Sequence, residues 1–245
     1  MEVLEIKDLE QGYGGLSVLQ GISFSMKAKE KRALIGPNGA GKTTLFNVLC
    51  GLTPLRAGQI HLLGHNITHT SPDKRAALGL ARSFQITNLF PTLSILNNVL
   101  LSIQGLQTTR FQMFRPIDAY EDNLARAREL LETVDLWDKR YTPVSELSHG
   151  QQRQIEIILA LASKPKILLL DEPNAGLTRN ESDSIADLIN KLVGDTAVLL
   201  TAHDMDLVFK LSDQIMVLYY GKIIAEGTPE QIKTDSKVRE IYLGT

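Results

Sequence analysis

The stretch Gly36-Pro37-Asn38-Gly39-Ala40-Gly41-Lys42-Thr43 has the form G-x-x-x-x-G-K-T, a loop whose glycines let backbone N–H groups turn inward and cradle phosphates. The pattern needs a strand before it and a helix after it. Ala33-Leu34-Ile35 enters as a buried strand, and Thr44, Leu45, Phe46, Val48 and Leu49 leave as a helix that ends near Gly51. The helix start adds the positive end of its dipole. On this template Lys42 reaches the β- and γ-phosphates of a nucleotide, and the Thr43 hydroxyl ligates Mg²⁺. A second strand end completes the chemistry. The apolar run Ile167 to Leu170 closes in Asp171-Glu172-Pro173. Asp171 is placed to hold Mg²⁺ through water beside Thr43, and Glu172, one residue further, to polarise a water for in-line attack on the γ-phosphate.

Other candidates are less decided by type and spacing alone. The chain has five histidines. His61, His65 and His69 recur every fourth residue, but Gly64 and the strand pattern around it argue against one helix presenting all three to a metal. His203 follows a buried strand, where sites of α/β proteins form, though an ordinary turn histidine fits that place equally well. Tyr13 lies in Gln11-Gly12-Tyr13-Gly14-Gly15, read as a loop. Its ring could stack on a base or pack locally, and the residues leave both open.

The elements that must position these groups are those of one large domain, or a domain with a subdomain, of 245 residues. The net charge of -2 gives no sign of a nucleic-acid binder. One cysteine, Cys50, excludes an intrachain disulfide and suits a reducing compartment. Its place on the helix after the phosphate loop predicts a buried, inert thiol. No apolar run reaches the roughly 18 residues of a membrane span, and the acidic start Met1-Glu2-Val3-Leu4-Glu5 does not read as a signal peptide.

Val3 to Leu9 and Gly21 to Met26 alternate as half-buried antiparallel strands, and Gln59 to Leu63 is a short strand. Ser71-Pro72 opens a helix, and Leu80 to Gln85 is a strand. Thr92 to Ile103 and Asp118 to Val134 are helical, so roughly 86–163 reads as a helical insertion in an α/β chain. Ser182 to Leu192 is a helix and Ala197 to Leu200 a buried strand. Ile215 to Leu218 and Ile223 to Glu226 form a hairpin, and two short helices near Pro229 and Val238 finish the chain.

Leu147-Ser148-His149-Gly150-Gln151-Gln152-Arg153 resembles the signature motif of ABC-type ATPases, written L-S-G-G-Q. Gly36 to Thr44 resembles that family's Walker A, and Ile167 to Glu172 its Walker B with the catalytic glutamate. Gln85 stands where the Q-loop glutamine belongs, His203 where the switch histidine belongs, and Tyr13 where an aromatic stacks on adenine. The resemblance runs from end to end. It implies an α/β, P-loop NTPase core, a mixed sheet with an antiparallel β subdomain, plus a helical subdomain. The whole of 1–245 is then a single ABC ATPase domain, with about 1–85 and 164–245 as core and about 86–163 as the helical part carrying the signature.

It also implies ATP and Mg²⁺ as cofactors and a second ABC ATPase subunit, identical or homologous, closed head-to-tail on the first. Each ATP would lie between Tyr13, Gly36, Pro37, Asn38, Gly39, Ala40, Gly41, Lys42, Thr43 and Thr44 of one copy and Ser148, Gly150 and Gln151 of the other. Glu172 would be the general base, with His203 bracing the γ-phosphate and water, Lys42 on the phosphates, and Gln85 touching Mg²⁺ with Thr43 and Asp171. The implied setting is the cytoplasmic face of a membrane, under two permease subunits and indirectly an extracytoplasmic solute-binding protein, with no nucleic acid. The stretch Ile86 to Ser94, with Leu89, Phe90 and Pro91, is expected in the groove that receives a permease helix.

Arg82-Ser83-Phe84-Gln85, Ala175-Gly176-Leu177 and Tyr242-Leu243-Gly244 resemble in particular the ATP-binding subunits of branched-chain amino-acid (Liv-type) importers. Related subunits for urea, amides or lipopolysaccharide, a soluble non-transport ABC ATPase and a nucleotide-binding regulator are the other readings. Two residues depart from the pattern. His149 replaces a signature glycine, and Thr178 stands where an acid or amide often follows Gly-Leu. Arg179-Asn180-Glu181 reads as a polar surface turn.

Overall fold

The computed structural model describes residues 2–83, 89–105, 107 and 116–243. In chain order these form β1 (Glu2–Tyr13), β2 (Leu16–Lys27), β3 (Lys31–Ile35), α1 (Lys42–Cys50), β4 (Ala57–Leu62), β5 (His65–Asn66), α2 (Pro72–Ala77), β6 (Leu80–Ser83), α3 (Ile95–Gln104) and α4 (Glu121–Glu132). Then follow α5 (His149–Ala162), β7 (Ile167–Asp171), α6 (Arg179–Leu192), β8 (Ala197–Thr201), α7 (Met205–Leu211), β9 (Gln214–Tyr219), β10 (Lys222–Gly227), α8 (Pro229–Thr234) and α9 (Ser236–Leu243). Gln85, Phe84 and Ile86 lie outside the described residues, so the Q-loop expectation has no structural counterpart here.

Two sheets carry the fold. The antiparallel one runs β2-β1-β4-β5, and the larger one β10-β9-β3-β8-β7-β6. In the larger sheet β6, β7, β8, β3 and β9 are parallel, and β10 pairs antiparallel with β9. Every residue of β7 and β8 is buried, as expected of parallel strands covered on both faces. Because the strands are parallel, the ends of β3, β6, β7 and β8 lie along one edge. The phosphate loop, Asp171-Glu172 and His203 all follow these ends.

Three apolar clusters hold the layers. One joins the antiparallel sheet, α1 and one face of the parallel strands through Leu4, Ile6, Phe46 and Leu169. The second packs α5, α6 and α7 on the opposite face around Leu168, Ile189 and Val208. The third joins α3, α4 and α5 through Ile95, Val99, Leu131 and Ile158. Cys50 is buried in the first cluster, and burial, more than any charge, pushes its thiol pKa up, which suits an inert thiol.

The structure moves several boundaries. Gln11, Gly12 and Tyr13 are strand, paired with Leu19, Ser17 and Leu16, so the expected loop shrinks to Gly14-Gly15. The first helix of the insertion starts at Ile95, where the Ser94 hydroxyl accepts from the Asn97 N–H. The next starts at Glu121, just after a 3₁₀ turn at Ile117–Ala119. Arg179 to Glu181 lie at the surface as expected, but as the first turn of α6, because Thr178 caps it.

Candidate active site

Close approach accounts for the glycines of the phosphate loop. A Cβ on Gly36 would lie 2.2 Å from the Leu218 carbonyl oxygen, and one on Gly41 would lie 2.9 Å from Leu19 Cδ2. Gly39 and Gly41 have φ of 78° and 110°, which turns the backbone into a concavity. The β9–β10 turn braces it: the Gly221 N–H donates to the Ala40 carbonyl at 3.0 Å, and the Gly221 carbonyl accepts from the Gln20 N–H at 2.8 Å. Asn38 and Gly39 stay exposed at the tip, and Thr43 and Thr44 are exposed and half-buried at the start of α1. Lys42 is buried, its Nζ donating to the carbonyls of Gly36 at 2.7 Å and Pro37 at 3.2 Å. Burial lowers its pKa, against a smaller opposing pull from Glu172 and Asp171. A concave glycine loop, a helix start and a desolvated lysine together can seat a phosphate group.

The acidic pair follows β7. Asp171 is buried; its Oδ2 accepts from Arg82 Nη2 at 2.6 Å and its Oδ1 from the Thr201 hydroxyl at 2.8 Å. Arg82 also donates to Asn47 Oδ1 at 2.7 Å and lies over the Phe46 ring at 5.7 Å, which ties this carboxylate to α1. Glu172 sits at φ 49°, an uncommon conformation for a residue with a Cβ. Its N–H donates to the Thr201 carbonyl at 3.0 Å. Its Oε1 lies 3.0 Å from Nε2 of His203, which is half exposed. Thus Lys42, Asp171, Glu172 and His203 converge on one strand edge. For Mg²⁺, the Thr43 hydroxyl and the Asp171 carboxylate are hard oxygen donors of the kind that hold it together with water and phosphate.

The signature residues Ser148, Gly150 and Gln151 lie at the start of α5, with hydrogen bonds inside their own chain. Ser148 caps α5 with Gln151 in a reciprocal box: its hydroxyl accepts the Gln151 N–H at 3.3 Å, and Gln151 Oε1 accepts the Ser148 N–H at 3.2 Å. The Gln151 side chain therefore folds back on its own helix. Gly150 packs on the Glu181 side chain of α6, which a Cβ there would displace, meeting Oε1 at 2.7 Å. His149 rests against Gly176, where an added Cβ would lie 3.4 Å from its Cε1. The hollow at Ser148, Gly150 and Gln151 is completed by Gln154, Glu181, Ser184 and Ile185, with no phosphate-loop residue among them. Tyr13 stands half exposed at the end of β1. Thr178 anchors the start of α6 through its hydroxyl and N–H, which both reach Glu181 Oε2, at 2.8 and 2.9 Å.

Comparison with known proteins decides the family. The profile described as ABC transporter matches residues 19–175, and that of the branched-chain amino acid ATP-binding cassette transporter matches residues 222–245. The chain is 37% identical over 251 residues to the high-affinity branched-chain amino acid transport ATP-binding protein BraF of Pseudomonas aeruginosa, covering 99% of this chain and 98% of that one.

This chain belongs to the ATP-binding subunits of ABC transporters.

LivG of Salmonella typhimurium, of the same description, is 36% identical over 249 residues, covering 99% and 98%. The ADP conformation of an ATP-binding cassette of an ABC transporter superposes with a TM-score of 0.87 at 29% identity, covering 100% of both chains. The cassette fold, mixed α/β with an antiparallel sheet, is as the sequence implied. Among the described residues no helix is long and apolar enough to cross a membrane.

Three residues at this site, and a fourth behind it, carry roles that type and spacing did not reveal. Arg82, Arg153 and Thr201 hold the acidic pair. Arg75, fully inside, donates to the carbonyls of Val48 and Leu49 at 2.7 and 2.6 Å and so closes the far end of α1. The sequence offers one partial signal: a basic residue inside an otherwise apolar or strand-like run, as at Arg82, needs a buried partner.

Proposed function

We infer that this cassette hydrolyses ATP to drive import of branched-chain amino acids through two permease subunits, and that it does so as a head-to-tail pair with a second cassette. The observation that carries the reading is the Glu172–His203 contact of 3.0 Å at the edge that also bears the phosphate loop. Glu172 takes the proton of the attacking water, and His203 orients the carboxylate and the γ-phosphate. Lys42 leaves the Gly36 and Pro37 carbonyls to meet the β- and γ-phosphates. Thr43 and Asp171, with Gln85, would hold Mg²⁺, which when bound offsets charge on the phosphate oxygens. Tyr13 stacks on the adenine.

Support for the pairing comes from the separation of half-sites: the hollow at Ser148 and Gly150 contains no phosphate-loop residue of its own chain. We place the helical subdomain at about 86–163, and the permease contact at the open groove lined by Leu89, Phe90, Leu101 and Leu159. The names of the relatives support branched-chain amino acids as cargo, and the cassette would sit at the cytoplasmic face of the membrane beneath its permeases.

The test is Glu172→Gln in the full chain assembled with its permeases. Hydrolysis should fall by about 100-fold or more, and an ATP-bound dimer should accumulate on size exclusion. An undiminished rate removes Glu172 from the base role, and turnover at full speed in monomers removes the shared site.

A further inference from the structure

We propose that Arg153, one turn into α5, is a positioning residue that sets the catalytic geometry of Glu172. The inference rests on Glu172 being the general base. Arg153 is buried, and its guanidinium directs its donors at the turn that bears Glu172. Nε donates to the Pro173 carbonyl at 2.8 Å, and Nη2 to the carbonyls of Glu172 at 2.8 Å and Asp171 at 3.2 Å. Nη1 donates to Glu156 Oε2 at 2.5 Å, on the same helix, so the charge is balanced where it is buried.

Three successive carbonyls facing one side chain is an unusual backbone course. It coincides with the φ of 49° at Glu172. A non-glycine residue in the left-handed region costs on the order of 1–3 kcal/mol and persists only where its surroundings over-determine it. Here they do so from two sides. Thr201 on β8 takes the Glu172 N–H, and Arg153 on α5 takes the Glu172 carbonyl. The side chain that leaves this clamped residue ends 3.0 Å from His203. The planar guanidinium fork suits this role, since one rigid group fixes several acceptors at once.

The position of Arg153 gives the clamp a second consequence. It lies five residues past Ser148, whose capping box opens the same helix. The start of α5, which faces the other cassette in the proposed pair, and the base of its own chain are thus joined by a single buried side chain. A shift of the first turn of α5 moves Arg153 and with it the three carbonyls.

The test compares Arg153→Met and Arg153→Lys, alone and in the Glu172→Gln background, in the full chain with its permeases. Binding of a fluorescent ATP analogue and ATPase kcat and KM are measured together. Arg153→Met should lower kcat by about 10- to 100-fold, the loss expected when a base is displaced by about an ångström. KM and the analogue's Kd should stay within about threefold. Arg153→Lys, which keeps the charge and some donors, should recover part of kcat. In the Glu172→Gln background Arg153→Met should cost nothing further, because its only route to the rate is through Glu172.

An equal loss in that background, or a loss carried by KM and Kd, would overturn the proposal, as would an unaltered kcat. If Arg153→Met fails to fold, Arg153→Lys in the two backgrounds decides the same question. A Glu172→Gln variant that retains full rate instead refutes the base assignment itself, so the two failures are separable.

Discussion

Thr201→Val removes one hydroxyl and keeps the side-chain volume, at a residue with no exposure to solvent. The hydroxyl donates to Asp171 Oδ1 at 2.8 Å and is a second acceptor, at 3.2 Å, for the Glu172 N–H. The two contacts differ in worth. A hydrogen bond to a charged group contributes about 1.5–3 kcal/mol. The Glu172 N–H keeps the Thr201 carbonyl at 3.0 Å, so that contact adds little. Asp171 keeps Arg82 on its other oxygen, which prevents the larger cost of an unpaired buried charge. With no cavity term, the expected loss is about 2 kcal/mol. For a chain of this size that lowers Tm by roughly 4–8 °C. Urea unfolding should show a lower midpoint with an unchanged slope. Thr201→Ser keeps the hydroxyl and should keep kcat, while the lost buried methyl should cost about 0.5–1.5 kcal/mol. ATPase assays on the same samples should show kcat falling by several-fold with little change in KM, because the hydroxyl supports Asp171 and Glu172 and not the phosphate loop. A loss below about 0.5 kcal/mol, the range of ordinary surface substitutions, would refute the account of Asp171 as a carboxylate held from two sides.

Gly36→Ala should weaken ATP binding by at least about tenfold and cost about 1–3 kcal/mol of stability, since its Cβ would press on the Leu218 carbonyl, which is backbone. Gly39→Ala, with open space at its Cβ, should cost only about 1 kcal/mol of backbone strain, and the reverse ranking in binding and melting assays would contradict the loop geometry. The lowered pKa of Lys42 gives a pH test. A bound phosphate favours charged Lys42, so ATP affinity should fall as pH rises through that lowered value. Stability of the free protein should move the other way there, because the unfolded chain then binds the proton that the folded chain has lost. Titrating the Kd of an ATP analogue from about pH 7 to about pH 10 measures it, and Lys42→Arg, charged throughout, should flatten the curve.

The site was legible where chemistry is local. A strand, a glycine loop and a helix in sequence mark the candidate phosphate seat, and an apolar run ending in two acids marks the proposed base, because both patterns depend on neighbours along the chain. The strand character of Gln11 to Tyr13 was hidden by three nearby glycines, which read as a loop until the pairing with Leu16 to Leu19 supplies the hydrogen bonds. The start of α6 was readable and missed: Thr178 with Glu181 three residues on is the capping-box pattern, repeated at Ser148 with Gln151 and at Thr228 with Gln231. Arg75, Arg82, Arg153 and Thr201 could not be assigned partners, since each reaches across elements at least 5 and as many as 89 positions apart. Gly150 has a neighbour within the chain that its place in the signature does not announce: a Cβ there would meet Glu181 Oε1 at 2.7 Å.

The turn at Tyr220-Gly221 joins three things that could have been independent. Through one glycine it holds Ala40 in the phosphate loop and Gln20 on β2, and it is also the point from which β10, α8 and α9 depart. That departing piece coincides with the stretch, 222–245, that matches the branched-chain subfamily. The stretch that matches the subfamily therefore begins at the turn that braces the phosphate loop. A single substitution at Gly221, where a Cβ would lie 2.2 Å from the Val18 carbonyl oxygen, would therefore disturb the loop's support and the root of that tail together.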